Sequence, residues 1–265
     1  MRFQSPDRNI ITETHCSKRD SSAGGSNRVK PGPWRTALIY FAVFLVFIAI
    51  AATAYKLDFL IHYKGEPFKD VLHPAGAQQI PGRVECALYD MGGEGVAYHD
   101  TDAANHGSGE LNPANGKYLN EFRKREGVDT SYTKFKLDPQ IDDNPYNLTV
   151  PPGNQLYVGW TEPGEWFNIT VNVERRALYT ADLLYTANGG GTISLDLNGK
   201  PATGPITIPS TNNAADPLAW RQWHHWNTLP GVVKLKMLRG GNVLTVHVLS
   251  GGNMNLAYFD FKKAQ

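Results

Sequence analysis

Beyond residue 80, apolar and polar residues alternate in short runs that end in glycine or asparagine, and few folds accept such a pattern. From Phe167 to Val173 every second residue is apolar, which places the apolar side chains on one face of an extended strand. The same period recurs along the chain and predicts strands at 83–89, 156–160, 166–173, 178–185, 192–197, 232–238, 242–249 and 255–261.

Turn-forming residues, rather than helices, separate these runs. Asn198-Gly199, Gly240-Gly241 and Gly251-Gly252 suit turns that need a positive φ. Short strands without an amphipathic helix between them predict two antiparallel sheets packed face to face. The predicted fold class is therefore all-β, a β-sandwich of the jelly-roll type. Residues 99–154 are rich in Asn, Asp, Gly and Lys, and we interpret them as a long insertion that shapes a binding face.

An apolar run precedes the predicted sandwich. No charged residue occurs from Ala37 to Ala54, and a helix from Thr36 through Tyr55 would approach the roughly 30 Å thickness of a bilayer's hydrocarbon core. Basic residues outnumber acidic ones before this run, so we expect a single transmembrane helix with the tail in the cytoplasm and the C-terminal domain outside.

A cleaved signal peptide is the alternative to a membrane anchor. Ala52-Thr53-Ala54 has the small-x-small form that a signal peptidase accepts, and the protein would then be secreted after cleavage near Ala54. The long leader and the length of the apolar run favour the anchor. In both cases the C-terminal part is exported.

The predicted organisation has four parts: a disordered cytoplasmic tail at 1–36, a transmembrane helix at 37–55, a spacer at 56–79 and a β-sandwich at 80–261. Cys16 and Cys86 lie on opposite sides of the apolar run, so an anchored chain cannot pair them. We interpret Cys86 as a buried thiol on a strand.

Charge argues against a nucleic-acid partner. The chain has 26 Lys and Arg against 25 Asp and Glu, and its pI is about 7.8. A protein that meets a phosphate backbone with a basic face needs a clear cationic excess.

Catalysis has little support in the sequence. A glycosidase needs two carboxyl groups facing each other about 5 to 9.5 Å apart. The candidate carboxylates of this chain lie in predicted loops, where such groups are more often solvated than catalytic. The chain has no Gly-x-Ser-x-Gly elbow and no phosphate-binding loop. His224 and His225 are adjacent, so on a strand they would point to opposite faces and could not share a metal. The carboxylates considered are Asp100, Asp102, Glu110, Asp142, Asp143, Glu162 and Glu165.

Aromatic residues beside turns are typical of a sugar-binding surface, because the C–H faces of sugars stack on flat rings. Trp160 follows Val158-Gly159, and Trp220 opens a tryptophan-rich block that continues to Trp226. These two indoles are the better platform candidates, whereas Trp223 and Trp226 are interpreted as packing residues.

Four segments together resemble the family 6 carbohydrate-binding modules, which are non-catalytic jelly-roll sandwiches often attached to polysaccharide hydrolases. The resemblance covers about residues 80–261 and follows the family's order. The segments are Ile80 to Cys86 followed by Gly92 to Asp100, Leu156 to Val173, Trp220 to Trp226, and Asn255 to Phe261.

This resemblance implies a sugar ring held between two aromatic side chains, here Trp160 and Trp220, with the Asn255 amide bonding the sugar hydroxyls. It also implies polar contacts from an early loop, which matches Tyr98, His99 and Asp100 more loosely. The implied partner is a polysaccharide or oligosaccharide. A glycoside hydrolase working beside the module is a further possibility that the sequence does not identify.

Members of that family commonly hold a structural calcium ion. Glu85 is kept, but Ala87 and Ala257 stand where acidic ligands are expected. Calcium takes six to eight oxygen ligands, so we predict no tightly held calcium and no other cofactor. The predicted function is sugar binding without catalysis; the alternative is a structural or protein-interaction sandwich of the cell envelope.

Overall fold

A computed structural model describes residues 33–264 and begins with one long helix. Helix α1 spans Pro33–His62, and its segment Thr36–His62 is long and apolar enough to cross a membrane. The apolar side chains of this segment are largely exposed; Phe44, for example, is 60% exposed. The predicted helix is confirmed and continues seven residues beyond its predicted end at Tyr55. Most of the predicted tail, including Cys16, lies outside the described residues.

The segment predicted as a spacer, 56–79, is packed rather than free. Its first residues belong to α1. The Tyr63 hydroxyl then donates to the Asp90 carboxylate at 2.7 Å. Phe68 is 8% exposed and its ring lies 5.4 Å from that of Phe122. These contacts are made by irregular backbone, which explains why the sequence shows no period here.

Fifteen strands follow between residues 78 and 263 of the described chain. They are β1 (Gln78–Ile80), β2 (Gly82–Glu85), β3 (Tyr98–His99), β4 (Ser108–Gly109), β5 (Asn112–Pro113), β6 (Thr130–Tyr132), β7 (Leu156–Val158), β8 (Trp166–Val173), β9 (Ala177–Ala187), β10 (Gly191–Leu197), β11 (Lys200–Pro201), β12 (Ile206–Ile208), β13 (Asn227–Met237), β14 (Gly240–Gly251) and β15 (Met254–Lys263). Each of the eight predicted strands overlaps one of these.

Two sheets form the sandwich, and the β-sandwich prediction is confirmed. One has seven strands in the order β1-β8-β14-β10-β11, with β3 on β8 and β12 on β10. The other has six strands in the order β13-β9-β15-β7-β6, with β2 on β15. Pairing is antiparallel in both, apart from the parallel contact of β1 with β8.

The core lies between the two sheets. Ile169 and Val171 of β8 and Leu183 and Phe259 of the facing sheet are all at most 1% exposed and belong to one apolar cluster. Their alternation along the strands is the pattern that predicted the sheets. Cys86 is buried as predicted, although it lies in a short 3-10 turn, Cys86–Leu88, rather than on a strand.

The predicted insertion, 99–154, is ordered and holds strands β4 to β6. Its interior is polar: the Asn105 side-chain oxygen accepts hydrogen bonds from the backbone N–H groups of Gly107, Ser108 and Thr130. Buried amides bonded in this way fix the path of a chain that has little apolar content. The insertion therefore presents a defined surface beside β7.

Candidate functional site

An open cleft of about 370 Å³ lies where the loop after β7, the turn before β13 and the insertion meet. Trp160 and Trp220, the two indoles predicted from the sequence, both line it. The structure therefore brings together the two aromatic side chains on which the predicted site depends. The other lining residues are Leu111, Lys134, Ile141, Asp142, Tyr157, Trp223 and His224.

Trp160 is held in an unusual backbone conformation. Its φ is +49°, in the left-handed region that bulky residues rarely adopt. Gly107 approaches so closely that an added Cβ would lie 3.1 Å from the indole. The preceding residue, Gly159, leaves room for Tyr157 and Asn255, which an added Cβ would meet at 3.2 and 2.7 Å. Gly107 thus leaves room for the indole itself, and Gly159 leaves room for the side chains packed behind the cleft.

Trp220 lies in a 3-10 turn, Ala219–Arg221, and is 51% exposed. A buried ion pair braces the turn: Arg221 donates two hydrogen bonds to Asp216, at 2.6 and 2.9 Å, and a third to the Gln140 carbonyl of the insertion. His225 lies 2.9 Å from the same carboxylate. The bonds from Arg221 hold the pKa of Asp216 well below its usual range. The turn that carries the exposed indole is therefore held in place by charge-assisted hydrogen bonds.

Asp142 organises the inner wall of the cleft and is fully buried. One carboxylate oxygen accepts from His224 Nε2 at 2.7 Å and from Trp226 Nε1 at 2.6 Å. The other accepts from the backbone N–H of Lys134 at 2.7 Å. A carboxylate of the insertion thus fixes side chains of the tryptophan-rich block. Trp226 is fully buried, which confirms its predicted packing role, whereas Trp223 lines the cleft.

The structure places Asn255 behind the cleft wall. It is 1% exposed, and its amide nitrogen donates to Thr186 Oγ1 at 2.9 Å and faces His224 Nδ1 at 3.1 Å. An amide nitrogen only donates, so His224 Nδ1 accepts and Nε2 carries the proton given to Asp142. The register of β15 on β9, with Asn255 opposite Thr186, puts this side chain inside. Its geometry positions His224 and does not match the direct sugar contact expected for it.

Tyr98, His99 and Asp100 do not line this cleft. They belong to β3 and its end, and β3 pairs with β8 of the seven-stranded sheet, whereas Trp160 follows β7 of the other sheet. Tyr98 is 6% exposed, in the core. His99 is bonded to Glu94 at 2.6 Å. Asp100 lines a separate crevice with Glu165, where burial raises the pKa of Asp100 to about 6.

Sequence reasoning missed Lys134 and Ile141, and it considered Asp142 only as one of several loop carboxylates, because all three lie in the insertion, away from the tryptophan-rich segments. No period or motif marks them. Tyr157 and Trp223 did carry a signal, since both sit in the aromatic segments already singled out. A count of every aromatic residue in those segments would have included them.

The residues at the expected calcium position do not fit the ion. Ala87 and Ala257 are fully buried and offer no oxygen ligand from their side chains. The Glu85 carboxylate accepts a hydrogen bond from the Gln155 amide, and burial raises its pKa. Within residues 33–264, no group of three or more His, Cys, Asp or Glu side chains is placed to hold a metal. Absence of tightly held calcium remains a prediction.

Comparisons with known proteins find no matching family model and no matching curated protein. Among solved structures, most of the matches are family 6 carbohydrate-binding modules, the family that the sequence motifs resemble. A β-1,3-glucan-binding module from Bacillus halodurans is 15% identical with a TM-score of 0.40, and the match covers 70% of this chain and 98% of that one.

Two further matches carry a bound sugar. A module from Clostridium stercorarium in complex with cellobiose is 12% identical, with a TM-score of 0.40 and coverage of 71% and 98%. A module from a Cellvibrio mixtus lichenase in complex with cellotriose is 22% identical, with a TM-score of 0.35 and coverage of 44% and 84%. At these sequence identities and TM-scores the matches bear on the fold alone, and the proposed function rests on the geometry of the cleft.

Proposed function

We propose that this protein binds a sugar ring of a polysaccharide or oligosaccharide in the tryptophan-lined cleft, without catalysis. The observation that carries the proposal is the convergence of Trp160 and Trp220 on one open cleft. Flat apolar faces beside water suit the C–H faces of a pyranose, and the nearby polar groups suit its hydroxyls. The cleft volume of about 370 Å³ falls in the usual range of small-ligand sites.

Affinity should be modest. Each ring that covers one face of a sugar contributes roughly 1.5 to 3 kcal/mol, and ordering the ligand offsets part of the sum. A dissociation constant on the order of 0.01 to 1 mM follows. Multivalent polysaccharides would then bind more firmly than short oligosaccharides, because several rings can engage neighbouring modules.

A glycan array followed by calorimetry tests the proposal. The full chain is kept in a detergent without a sugar headgroup, since a glycosidic headgroup could itself enter the cleft. We expect Trp160→Ala and Trp220→Ala each to lose binding, while Leu249→Ala, a change at a 45% exposed residue of β14, keeps it. Unchanged binding in both tryptophan variants would reject the cleft. Capture of a protein partner without any glycan signal would favour the envelope-interaction alternative.

The second part of the proposal is a membrane tether through residues 37–55, which the length and apolar composition of α1 support. The basic excess before the helix favours a sandwich outside the cytoplasm. Val71 is 91% exposed, so Val71→Cys in a Cys16→Ser background gives a reporter. We expect a membrane-impermeant maleimide to label it in intact cells. Labelling only after lysis would overturn the orientation. A released product that begins near residue 55 would instead establish signal-peptide cleavage.

A further inference from the structure

Lys134 is the one ammonium group among the side chains that line the cleft. It is half-buried, and its Nζ makes one long hydrogen bond, to Ser131 Oγ at 3.3 Å. The same nitrogen lies 4.6 Å from the centre of the Tyr132 ring. Lys134 forms no ion pair with any carboxylate in the described part of the chain. An ammonium has three donors, so this one retains donor capacity toward the cleft.

Asp142, the one carboxylate that lines the cleft, does not take up that capacity. Its two oxygens accept three hydrogen bonds, from His224 Nε2, Trp226 Nε1 and the backbone N–H of Lys134. It is also fully buried, which keeps its oxygens from a ligand, and within the described residues it makes no hydrogen bond or ion pair with the Lys134 ammonium. The cleft therefore supplies no carboxylate partner for the remaining N–H donors of the Lys134 ammonium.

We infer that the ligand is an acidic glycan, whose anionic group pairs with the Lys134 ammonium while its ring stacks on the tryptophans. This inference rests on the proposed sugar-binding function and adds the substrate class. The anionic group is either the carboxylate of a hexuronate or a sulfate ester, since a lysine recognises both as a point charge.

The electrostatics favour an anion over a neutral hydroxyl at this position. Burial lowers the pKa of Lys134, and the charge of Asp142 opposes that effect. A cation that is partly removed from water without a direct partner gains more from a charged acceptor than from a neutral one. Binding of the anion should therefore be stronger at low ionic strength and weaker as salt is added.

Matched pairs of glycans test the inference. The probes are oligogalacturonate, oligomannuronate and oligoglucuronate, each beside its carboxyl-reduced counterpart, and a sulfated galactan beside its desulfated form. Binding to the full chain in a sugar-free detergent is measured by calorimetry at two salt concentrations. Lys134→Met removes the ammonium, Lys134→Arg keeps a charge, and Lys136→Met is the control at an exposed lysine two residues away.

We expect at least one acidic probe to bind tenfold or more tightly than its neutral partner. This preference should vanish in Lys134→Met and persist in Lys134→Arg and Lys136→Met. Equal affinity for acidic and neutral partners, or a preference that survives Lys134→Met, overturns the inference and leaves sugar binding intact. Absence of binding to every probe also overturns the inference, and the glycan array then decides separately whether the proposed function stands. If Lys134→Met does not fold, the paired affinities and their salt dependence in the unmodified chain decide the matter.

Discussion

Removal of the Trp220 indole is the sharpest test of the cleft, because half of this side chain is already exposed before any ligand arrives. A buried aromatic side chain covers about 150–250 Å². With 51% of Trp220 exposed, roughly 100 Å² is open, and a stacked sugar covers about 60–100 Å² of it. At about 25 cal/mol per Å², that contact contributes about 1.5–2.5 kcal/mol.

Trp220→Ala should therefore weaken sugar binding by roughly 10- to 70-fold. About half of the side chain is buried, so the free energy of unfolding should fall by no more than about 2.5 kcal/mol, the value for the roughly 100 Å² that is already covered. Calorimetry with the glycan selected on the array measures the first quantity, and denaturant unfolding measures the second. Affinity within twofold of the unmodified chain would refute the stacking argument. A large loss of stability would instead show that the indole supports the turn.

Two further predictions concern what surrounds the cleft. Arg221→Lys keeps the charge but loses the paired hydrogen bonds to Asp216. It should lower the free energy of unfolding by about 1.5–3 kcal/mol, measured by denaturant unfolding. It should also weaken sugar binding, measured by calorimetry on the same sample, because the turn holds Trp220 less firmly. Lowering the pH from 8 to 5 should raise the melting temperature, because burial raises the pKa of three carboxyl groups to about 6 or 7. Their protonated forms stabilise the folded state, and this stability, complete below the ordinary carboxyl pKa, is lost as the pH rises through about 6 to 7. A melting temperature that falls over this range, or a rise unaltered by Glu165→Gln, would contradict this. The three groups are Asp100, Asp129 and Glu165.

The strands were predictable because each one carries its evidence locally. A period of two along residues 166–173 or 192–197 needs no knowledge of the rest of the chain. Strands such as β12, Ile206–Ile208, were missed because three residues are too few to show a period. The contacts of the span 56–79 could not be predicted for a related reason: Tyr63 and Phe68 contact residues far along the chain, and irregular backbone leaves no pattern.

The site was only partly predictable, again because residues that meet at the cleft lie far apart along the chain. Trp160 and Trp220 were found because aromatic residues beside turns are visible in the sequence. Asn255 was predicted to bond the sugar directly, but its depth depends on the register of β15 against β9, which no local pattern fixes. The contribution of Lys134 depends on how the insertion folds back toward β7.

The positions of the two indoles cost folding free energy, and this cost bears on whether the cleft binds a ligand. A bulky residue in the left-handed region, such as Trp160 at a φ of +49°, costs on the order of 1–3 kcal/mol. Trp220 is kept half exposed above a buried ion pair that a purely structural turn would not need. A sandwich that served only as a spacer would gain stability by relaxing the first and burying the second. Both arrangements meet at one cleft, which supports the proposal that the two rings bind a ligand.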